Sequence, residues 1–389
     1  MNYTEQQLAR IAKRENNTKR SYLVVNPLQG KHVPVSPGEA LAVSGALAEL
    51  LKGKIEVSRT LLIGFAETAT AIGANAAVTL GTKYMQTTRE IIPGVSYLFF
   101  SEAHSHATEQ KLVADDLDAV ISEIDRIVFV EDEVTTGNTI LQIIEILRKR
   151  YPGKLEFSVA SLLNGMTEEH LKRYENENIG LYFLVKTDHS RYGEAADRYV
   201  SDGTYVDCVC DGADQEPEGA ESASPEIVSE NAESAINYCE RRILGAMDSR
   251  RLVDAPAYEA ACDKLYEQIM SGQGEITGKR ILVIGTEECM YPAIFVGQKM
   301  EAAGNLVRTH STTRSPILVS RDPAYPLHSR YELRSLYEDG RVTFLYEIAS
   351  YDKVFVITDA AEGAEKGTKS LIRALGRQNT DITLVRWCK

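Results

Sequence analysis

The stretch IVFVEDEVTTGNTI, residues 127–140, joins an apolar run to three acids and then to a loop of threonine and glycine. From Val134 to Thr139 this loop offers successive backbone N–H groups and threonine hydroxyls, and Gly137 leaves room for a ligand to approach the backbone. A helix is expected to begin at about Thr139, and N–H groups at the N-terminus of a helix bind anions. The stretch therefore predicts a strand, a phosphate-binding loop and a helix in succession.

The acids in front of this loop need a different ligand group, because carboxylate and phosphate repel each other. Ribose hydroxyls are donors that carboxylates accept, and a 5-phosphate lies one ribose-width from the vicinal hydroxyls. Neighbouring side chains of a strand point to opposite faces, so Glu131 and Asp132 serve one ribose only if the chain turns there. The sequence favours a ribose 5-phosphate, and a magnesium pyrophosphate on the same sugar would also tolerate the carboxylates. The alternative is an ordinary strand–helix unit whose acids bind magnesium, as in receiver-like folds.

Apolar runs of strand length alternate with helical patterns throughout the first half of the chain. This order implies parallel crossovers and therefore a doubly wound α/β sheet, whose ligands bind at the carboxyl ends of the strands. The predicted strands are 59–67, 95–102, 126–132 and 155–163, and the predicted helices are 68–81, 110–124 and 136–153.

The composition changes at residues 211–234, which hold eight acids, two prolines and no lysine, arginine or aromatic residue. Such a segment buries too little apolar surface to offset its ordering entropy, so it is predicted to be a linker. The α/β pattern then restarts, which predicts a second, Rossmann-like α/β domain. The expected domains are residues 1–210 and 235–389, on either side of the acidic linker at 211–234.

The overall balance of residues is that of an acidic globular chain. Of the 389 residues, 43% are hydrophobic and 25% are charged, and much of the formal net charge of -13 falls in 211–234. This balance provides no basic face for nucleic acid, and no apolar run approaches the roughly 18 residues of a membrane helix. The six cysteines include no CxxC pair, which indicates reduced thiols. We expect a cytoplasmic protein without a nucleic-acid or membrane partner.

The stretch VFVEDEVTTGNT resembles the phosphoribosyl pyrophosphate (PRPP) motif of type I phosphoribosyltransferases, with its apolar residues, two acids, two variable positions and hydroxyl-rich loop. The resemblance implies that Glu131 and Asp132 bind the ribose hydroxyls, together with magnesium. Two positions depart from the family. Glu133 stands where an apolar residue is usual, and Thr135 stands where several purine enzymes have an acid. By the same resemblance the 5-phosphate is bound by Thr135, Thr136, Gly137, Asn138 and Thr139.

The same family has further loops around its pyrophosphate. A flexible segment would close over it with Arg89 and Lys83. His104 and His106 in this segment could contact pyrophosphate, the acceptor or a metal. A peripheral hood, with Asn26, Lys31 and His32, could contact the acceptor or be a plain surface hairpin. The residues implied to bind pyrophosphate through backbone N–H groups are Ala66, Glu67, Thr68 and Ala69.

Three stretches, GFAETATAIGA, HSHATEQ and STTRSP, are similar to a narrower two-domain subgroup in which a phosphoribosyltransferase is followed by a TRSP domain. This subgroup is found with bacterial tellurium-resistance gene clusters, which implies a step in making a nucleoside-like metabolite. In the second domain, residues at strand ends and in the TRSP tetrad could form one anion or sugar crevice if the strands are neighbours. The candidates are Gly285, Thr286, Glu287, Thr313, Arg314, Ser315 and Asp359.

The resemblance implies an enzyme that transfers ribose 5-phosphate from PRPP to a nitrogen acceptor with release of pyrophosphate and with Mg²⁺ as cofactor. Its partners would be small molecules, and a homodimer is compatible with the family. The alternative is a PRPP-sensing regulatory protein that keeps the loop but performs no turnover.

Overall fold

The structure of this chain is a computed structural model that describes residues 2–15, 20–100, 110–209, 236–274 and 276–389. The predicted linker at 211–234 lies outside the described residues. His104 and His106 also lie outside them, so their expected contacts stay predictions.

The described chain up to residue 209 forms a parallel sheet with flanking helices and two antiparallel strand pairs. Short 3-10 helices occupy Val57–Arg59 and His189–Arg191. The strands are β1 (Arg10–Lys13), β2 (Tyr22–Val25), β3 (Thr60–Gly64), β4 (Lys83–Gln86), β5 (Tyr97–Phe100), β6 (Gln110–Val113), β7 (Arg126–Val134), β8 (Glu156–Asn164), β9 (Gly180–Lys186) and β10 (Thr204–Asp207). The helices are α1 (Glu5–Leu8), α2 (Pro37–Leu51), α3 (Thr70–Leu80), α4 (Ala114–Val120), α5 (Asn138–Arg150), α6 (Glu168–Asn176) and α7 (Tyr192–Asp197).

From residue 236 onward the chain forms a second parallel sheet with its own helices. The strands are β11 (Asn237–Leu244), β12 (Val253–Asp254), β13 (Arg280–Gly285), β14 (Leu306–Ser311), β15 (Ser329–Arg334), β16 (Val342–Tyr346), β17 (Lys353–Thr358) and β18 (Asp381–Cys388). The helices are α8 (Ala255–Met270), α9 (Tyr291–Ala302) and α10 (Glu365–Gly376).

The first large sheet has the strand order β12-β4-β3-β7-β8-β9. Its strands are parallel except for the short β12, which is antiparallel to β4. Strand β3 is buried along its whole length and β8 along nearly all of it, as expected for a parallel sheet that is covered on both faces. The chain runs from β3 to β4 on one side and later returns to β7 on the other side. The topological switch point, where doubly wound sheets bind ligands, therefore lies between β3 and β7.

The second large sheet has the order β11-β18-β17-β13-β14, and all its pairs are parallel. Its chain runs from β13 to β14 on one side and returns to β17 on the other, so its switch point lies between β13 and β17. These two sheets confirm the predicted doubly wound α/β sheet and the second Rossmann-like sheet.

The two halves of the chain are joined by shared strands and a shared core. Strand β10 of the first half pairs in parallel with β15, and β12 of the second half pairs with β4. Helix α9 packs against α2 and α3. One hydrophobic cluster contains Leu61 and Phe129 together with Ile281 and Tyr291. Because a large apolar interface resists relative domain motion, the second half is held in a fixed position against the first.

Two elements differ from the sequence prediction. The predicted strand 95–102 is β5, but it pairs antiparallel with β6 in a two-stranded hairpin rather than in the parallel sheet. The predicted helix 110–124 contains only the short α4, because its first residues form β6 of this hairpin. Among the described helices, none has both the length and the apolar character that a membrane span requires.

Candidate active site

A cleft of about 690 Å³ lies at the carboxyl ends of β3 and β7, which is the switch point of the first sheet. Its lining includes the loop after β7, the loop after β3, and residues from the N-terminal hairpin and from the second half of the chain. The predicted residues that line it are Ala66, Glu67, Thr68, Arg89, Glu131, Asp132, Thr135, Thr136, Gly137, Asn138, Thr139, Arg314 and Ser315.

The loop after β7 has the geometry of an anion-binding helix N-terminus. Gly137 adopts φ 70° and helix α5 begins at Asn138. The Tyr174 hydroxyl donates to the Gly137 carbonyl at 2.7 Å, and a Cβ on Gly137 would lie 2.2 Å from that hydroxyl oxygen. The Asn138 N–H donates to the Thr136 hydroxyl at 3.3 Å, and N–H groups of a first helical turn have no intrahelical partners, which suits them to bind a phosphate.

Glu131 and Asp132 both line the cleft directly in front of this loop. Asp132 Oδ1 accepts a hydrogen bond from the Thr68 hydroxyl at 3.0 Å, and Glu131 Oε1 accepts one from the Asp132 backbone at 3.1 Å. Burial, and then the adjacent Asp132 carboxylate, raises the pKa of Glu131 well above its ordinary value. The two acids thus lie between the loops that follow β3 and β7, and the pKa of one of them, Glu131, is raised.

Glu133, the departure from the family motif, has a different environment. Arg20 donates to both of its carboxylate oxygens, at 2.9 and 2.7 Å, and the Arg20 guanidinium lies 4.4 Å from the centre of the Tyr22 ring. His189 Nε2 lies 3.4 Å from Glu133, and burial followed by Arg20 lowers the pKa of His189 to about 4, so this imidazole is neutral at neutral pH. Glu133 therefore anchors the N-terminal hairpin over the cleft.

The loop after β3 is held by hydrogen bonds to its backbone. The Ala66 N–H donates to the Thr87 hydroxyl at 2.8 Å, and the Ala66 carbonyl accepts from the Gln110 amide at 2.6 Å. The peptide bond between Ala66 and Glu67 is cis. Ala69, which was expected to bind pyrophosphate, is fully buried and does not line the cleft.

The Glu67 side chain forms a buried ion pair with Lys31, and Arg314 Nε lies 3.5 Å from its other oxygen. Burial by itself raises the pKa of Glu67, but Lys31 and Arg314 outweigh it and lower that pKa to about 2. Lys31 also donates to the backbone carbonyls of Glu287 at 3.3 Å and Thr312 at 3.4 Å. Lys31 was expected in a surface hood, whereas it joins the loop after β3 to the second half of the chain.

Arg89 and Lys83, predicted to act together, lie in different places. Arg89 lines the cleft, and its N–H donates to Glu288 at 2.8 Å. The prediction for Lys83 is wrong, because Lys83 begins β4 at the amino end of the sheet and forms an ion pair with Glu123 at 3.1 Å. Ligands of this sheet bind at the opposite, carboxyl end.

The residues predicted in the second domain do not form one crevice. Gly285, Thr286, Glu287 and Thr313 are buried, and Arg314 Nε donates to Glu287 at 2.6 Å. Arg314 and Ser315 line the first cleft, whereas Asp359 lines a separate crevice of about 820 Å³. The expectation fails because Arg250 and Arg314 lie between the strand ends, where they are bound by Glu287, Glu288 and Asp359.

Several cleft residues carried no signal in the sequence. Arg14, Arg20 and Arg341 line the cleft, but each lies in an unremarkable polar stretch with no motif around it. His32 of the predicted hood also lines it, and burial lowers the pKa of His32 to about 3.

Two family models match this chain, one after the other. The family model described as phosphoribosyl transferase (PRTase_2) matches residues 8–187. The TRSP domain, which is described as lying C-terminal to that family, matches residues 250–375. No curated protein matches the chain.

Solved structures of phosphoribosyltransferases are similar to part of this chain. Adenine phosphoribosyltransferase from Rhodothermus marinus is 16% identical, with 47% of this chain and 96% of that chain covered and a TM-score of 0.35. Orotate phosphoribosyltransferase from Aeropyrum pernix is 19% identical, with 46% and 86% covered and a TM-score of 0.31. With its two family matches in tandem, the chain belongs to the proteins in which a PRTase_2 phosphoribosyl transferase domain is followed by a TRSP domain.

Proposed function

We propose that this chain is a phosphoribosyltransferase enzyme that transfers ribose 5-phosphate from PRPP to a nitrogen acceptor and releases pyrophosphate. The observation that carries the proposal is that one cleft contains both an anion-binding helix N-terminus and two adjacent carboxylates. These groups match the two ends of a ribose 5-phosphate. The reaction would be one step in the synthesis of a nucleoside-like metabolite.

In this reaction the 5-phosphate binds to the N–H groups and hydroxyls of residues 135–139, and the ribose hydroxyls donate to Glu131 and Asp132. The bond between C1 and the pyrophosphate oxygen breaks, positive charge develops on the ribose ring, and the acceptor nitrogen forms the new bond to C1. The carboxylates stabilise that charge, and the two loops fix the sugar for attack.

Magnesium fits the residues of this cleft. Within the described residues, no three or more histidine, cysteine or acidic side chains are arranged so that they could hold a metal ion by themselves. Proteins usually bind Mg²⁺ through one or two carboxylates together with phosphate oxygens of the substrate. Glu131 and Asp132 would supply the protein's share of the ligands, and the bound ion would neutralise charge on the departing pyrophosphate.

Calorimetry with PRPP, with and without Mg²⁺, tests the first step, and an assay for pyrophosphate release over a panel of nitrogen acceptors tests the second. We expect magnesium-dependent binding and release with at least one acceptor. Binding without release on any acceptor would favour a PRPP-sensing regulatory protein. Failure to bind PRPP would contradict both functions.

A further inference from the structure

The TRSP tetrad, residues 313–316, reaches the cleft of the first domain. Arg314, Ser315 and Pro316 line that cleft, and so does Arg341 from the loop before β16. All four residues belong to the second half of the chain, which is fixed against the first by shared strands. The second domain therefore forms one wall of the first domain's site.

The two arginines line the cleft, and among the carboxylates that form ion pairs with them only Glu67 lines it as well. Arg341 Nη1 lies 2.6 Å from Glu90 and 2.9 Å from Glu287, and Arg314 is bound by the same two acids. Neither Glu90 nor Glu287 lines the cleft. Arg314 Nη1 is buried and has no hydrogen-bond partner within the described residues. The guanidinium groups are thus held mostly by acids outside the cleft, while both arginines line it.

A chain of contacts fixes where these arginines lie relative to the sugar site. Asp132 follows the end of the buried part of β7, close to the phosphate loop, and the Thr68 hydroxyl contacts it at 3.0 Å. Glu67, the neighbour of Thr68, lies 3.5 Å from Arg314. Arg314 therefore lies at the loop after β3, and Arg341 lies beside Arg314 because both bind Glu90 and Glu287, whereas the phosphate loop follows β7. A ribose 5-phosphate with its phosphate at the loop after β7 and its hydroxyls at the acids would then extend its C1 substituent toward the arginines.

We propose that Arg314 and Arg341 of the second domain bind the diphosphate group at C1 of the ligand, so that the diphosphate site is shared between two domains of one chain. This inference rests on the proposed function, because it assumes that the sugar phosphate binds in this cleft. Arginine suits the role, since its planar, permanently charged fork binds phosphate in a bidentate manner. Arg89, in the same wall, adds a third guanidinium from the first domain.

If these arginines had a purely structural role, their substitution would weaken the binding of PRPP and of ribose 5-phosphate alike. The selectivity between these two ligands therefore distinguishes a structural role from diphosphate binding. We would measure the Kd of PRPP and of ribose 5-phosphate, each with Mg²⁺, for the wild-type chain and for Arg314→Lys and Arg341→Met. The side chain of Arg341 is slightly more exposed than that of Arg314, 14% against 11%. If Arg314→Lys does not fold, Arg341→Met still tests the proposal. The control is Arg251→Met, because Arg251 forms another interdomain pair, with Asp116 at 2.6 Å, and does not line the cleft.

The expected result is that both variants weaken PRPP binding by at least about tenfold, the factor that one strong charged contact represents, and change ribose 5-phosphate binding by less than about twofold. Arg251→Met should leave both affinities unchanged. Equal weakening of both ligands, or no weakening of PRPP, would overturn the inference while leaving the proposed function intact. A wild-type chain that binds neither ligand would overturn the proposed function and this inference with it.

Discussion

Both large sheets of this molecule have a topological switch point, but the acids at the two switch points have different surroundings. In each sheet the chain changes direction between two central parallel strands, β3 and β7 in the first and β13 and β17 in the second. At the first switch point the acids that follow the strand, Glu131 and Asp132, line an open cleft. At the second, Glu287 and Glu288 are almost completely buried.

The difference lies in what meets the acids. Glu287 and Glu288 are bound by arginines of the second domain, and Glu288 is also bound by Thr88 and Arg89 of the first. A buried carboxylate needs such partners because its desolvation is otherwise costly. We therefore infer that acids at the carboxyl end of a strand can serve as ligand groups where no arginine binds them, and that they serve as structural groups where one does.

Glu288→Gln tests the switch point between β13 and β17, which we call the filled switch point because arginines bind its acids. The switch point between β3 and β7 is the open switch point. Glu288 accepts hydrogen bonds from the Thr88 hydroxyl at 2.7 Å, the Arg89 backbone at 2.8 Å and Arg250 at 2.9 Å. Removing the charge leaves Arg250 partly uncompensated, so the free energy of unfolding should fall by about 3 to 5 kcal/mol in urea denaturation. Glu362→Gln is the control, because its pair with Arg242 is exposed and should matter by less than about 1 kcal/mol. Equal stability of the two variants would show that the filled site is not structural.

Gly137→Ala tests the backbone of the open switch point. The new methyl group would need a positive φ and would overlap the Tyr174 hydroxyl, so we expect a loss of about 3 kcal/mol in unfolding free energy and weaker binding of ribose 5-phosphate. Gly153→Ala is the control, since Gly153 also has a positive φ of 65° but no atom within 4 Å of a new Cβ. Its loss should be about 1 kcal/mol, from backbone strain alone. Similar losses in both variants would mean that contact with Tyr174 does not shape the loop.

Asp132→Asn tests the chemistry of the open switch point. We expect turnover to fall by about a hundredfold or more, measured as pyrophosphate release with an acceptor that supports the wild-type reaction, because the substitution removes preorganised negative charge. Asp125→Asn is the control. Asp125 lies directly before the other end of β7 and pairs with Arg59 at the surface, so turnover should be unchanged. Retained turnover in Asp132→Asn would argue against a catalytic role for this carboxylate.

The open site could be predicted from the sequence because its parts are close together in the chain. The strand expected at 126–132 is β7, and the helix expected at 136–153 contains α5. The loop between them is defined by short-range constraints, namely the glycine, the hydroxyls and the start of a helix. The loop after β3, which is expected to bind pyrophosphate, lies beside the loop after β7 because β3 and β7 are neighbouring parallel strands.

The filled site could not be predicted, because its contacts join distant parts of the chain. Arg314 and Glu90 are separated by 224 positions, and no local pattern shows that a second-domain arginine reaches a first-domain loop. The position of Lys83 could not be predicted either, because β4 has only four residues and so short a strand has no clear sequence pattern that marks it as a member of the sheet.

The smallest expected effect concerns how pH changes ligand binding at the open switch point. Because burial and the Asp132 carboxylate raise the pKa of Glu131, the free protein holds a proton there at pH values where glutamate is usually ionised. The ionised carboxylate accepts hydrogen bonds from the ribose hydroxyls more strongly than the protonated acid does. The affinity for ribose 5-phosphate should therefore rise with pH, by up to about tenfold per unit below the raised pKa, and level off above it.

Calorimetry at several pH values on the wild-type chain and on Glu131→Gln isolates this proton. The ligand phosphate also titrates, near pH 6, but it does so equally for both proteins, so the difference between the two curves reports Glu131. The sign for folding is opposite. The folded state binds the extra proton, so the stability of the wild-type chain relative to Glu131→Gln should fall as pH rises through the raised pKa. Parallel binding curves would mean that the protonation of Glu131 does not control the binding of ribose 5-phosphate.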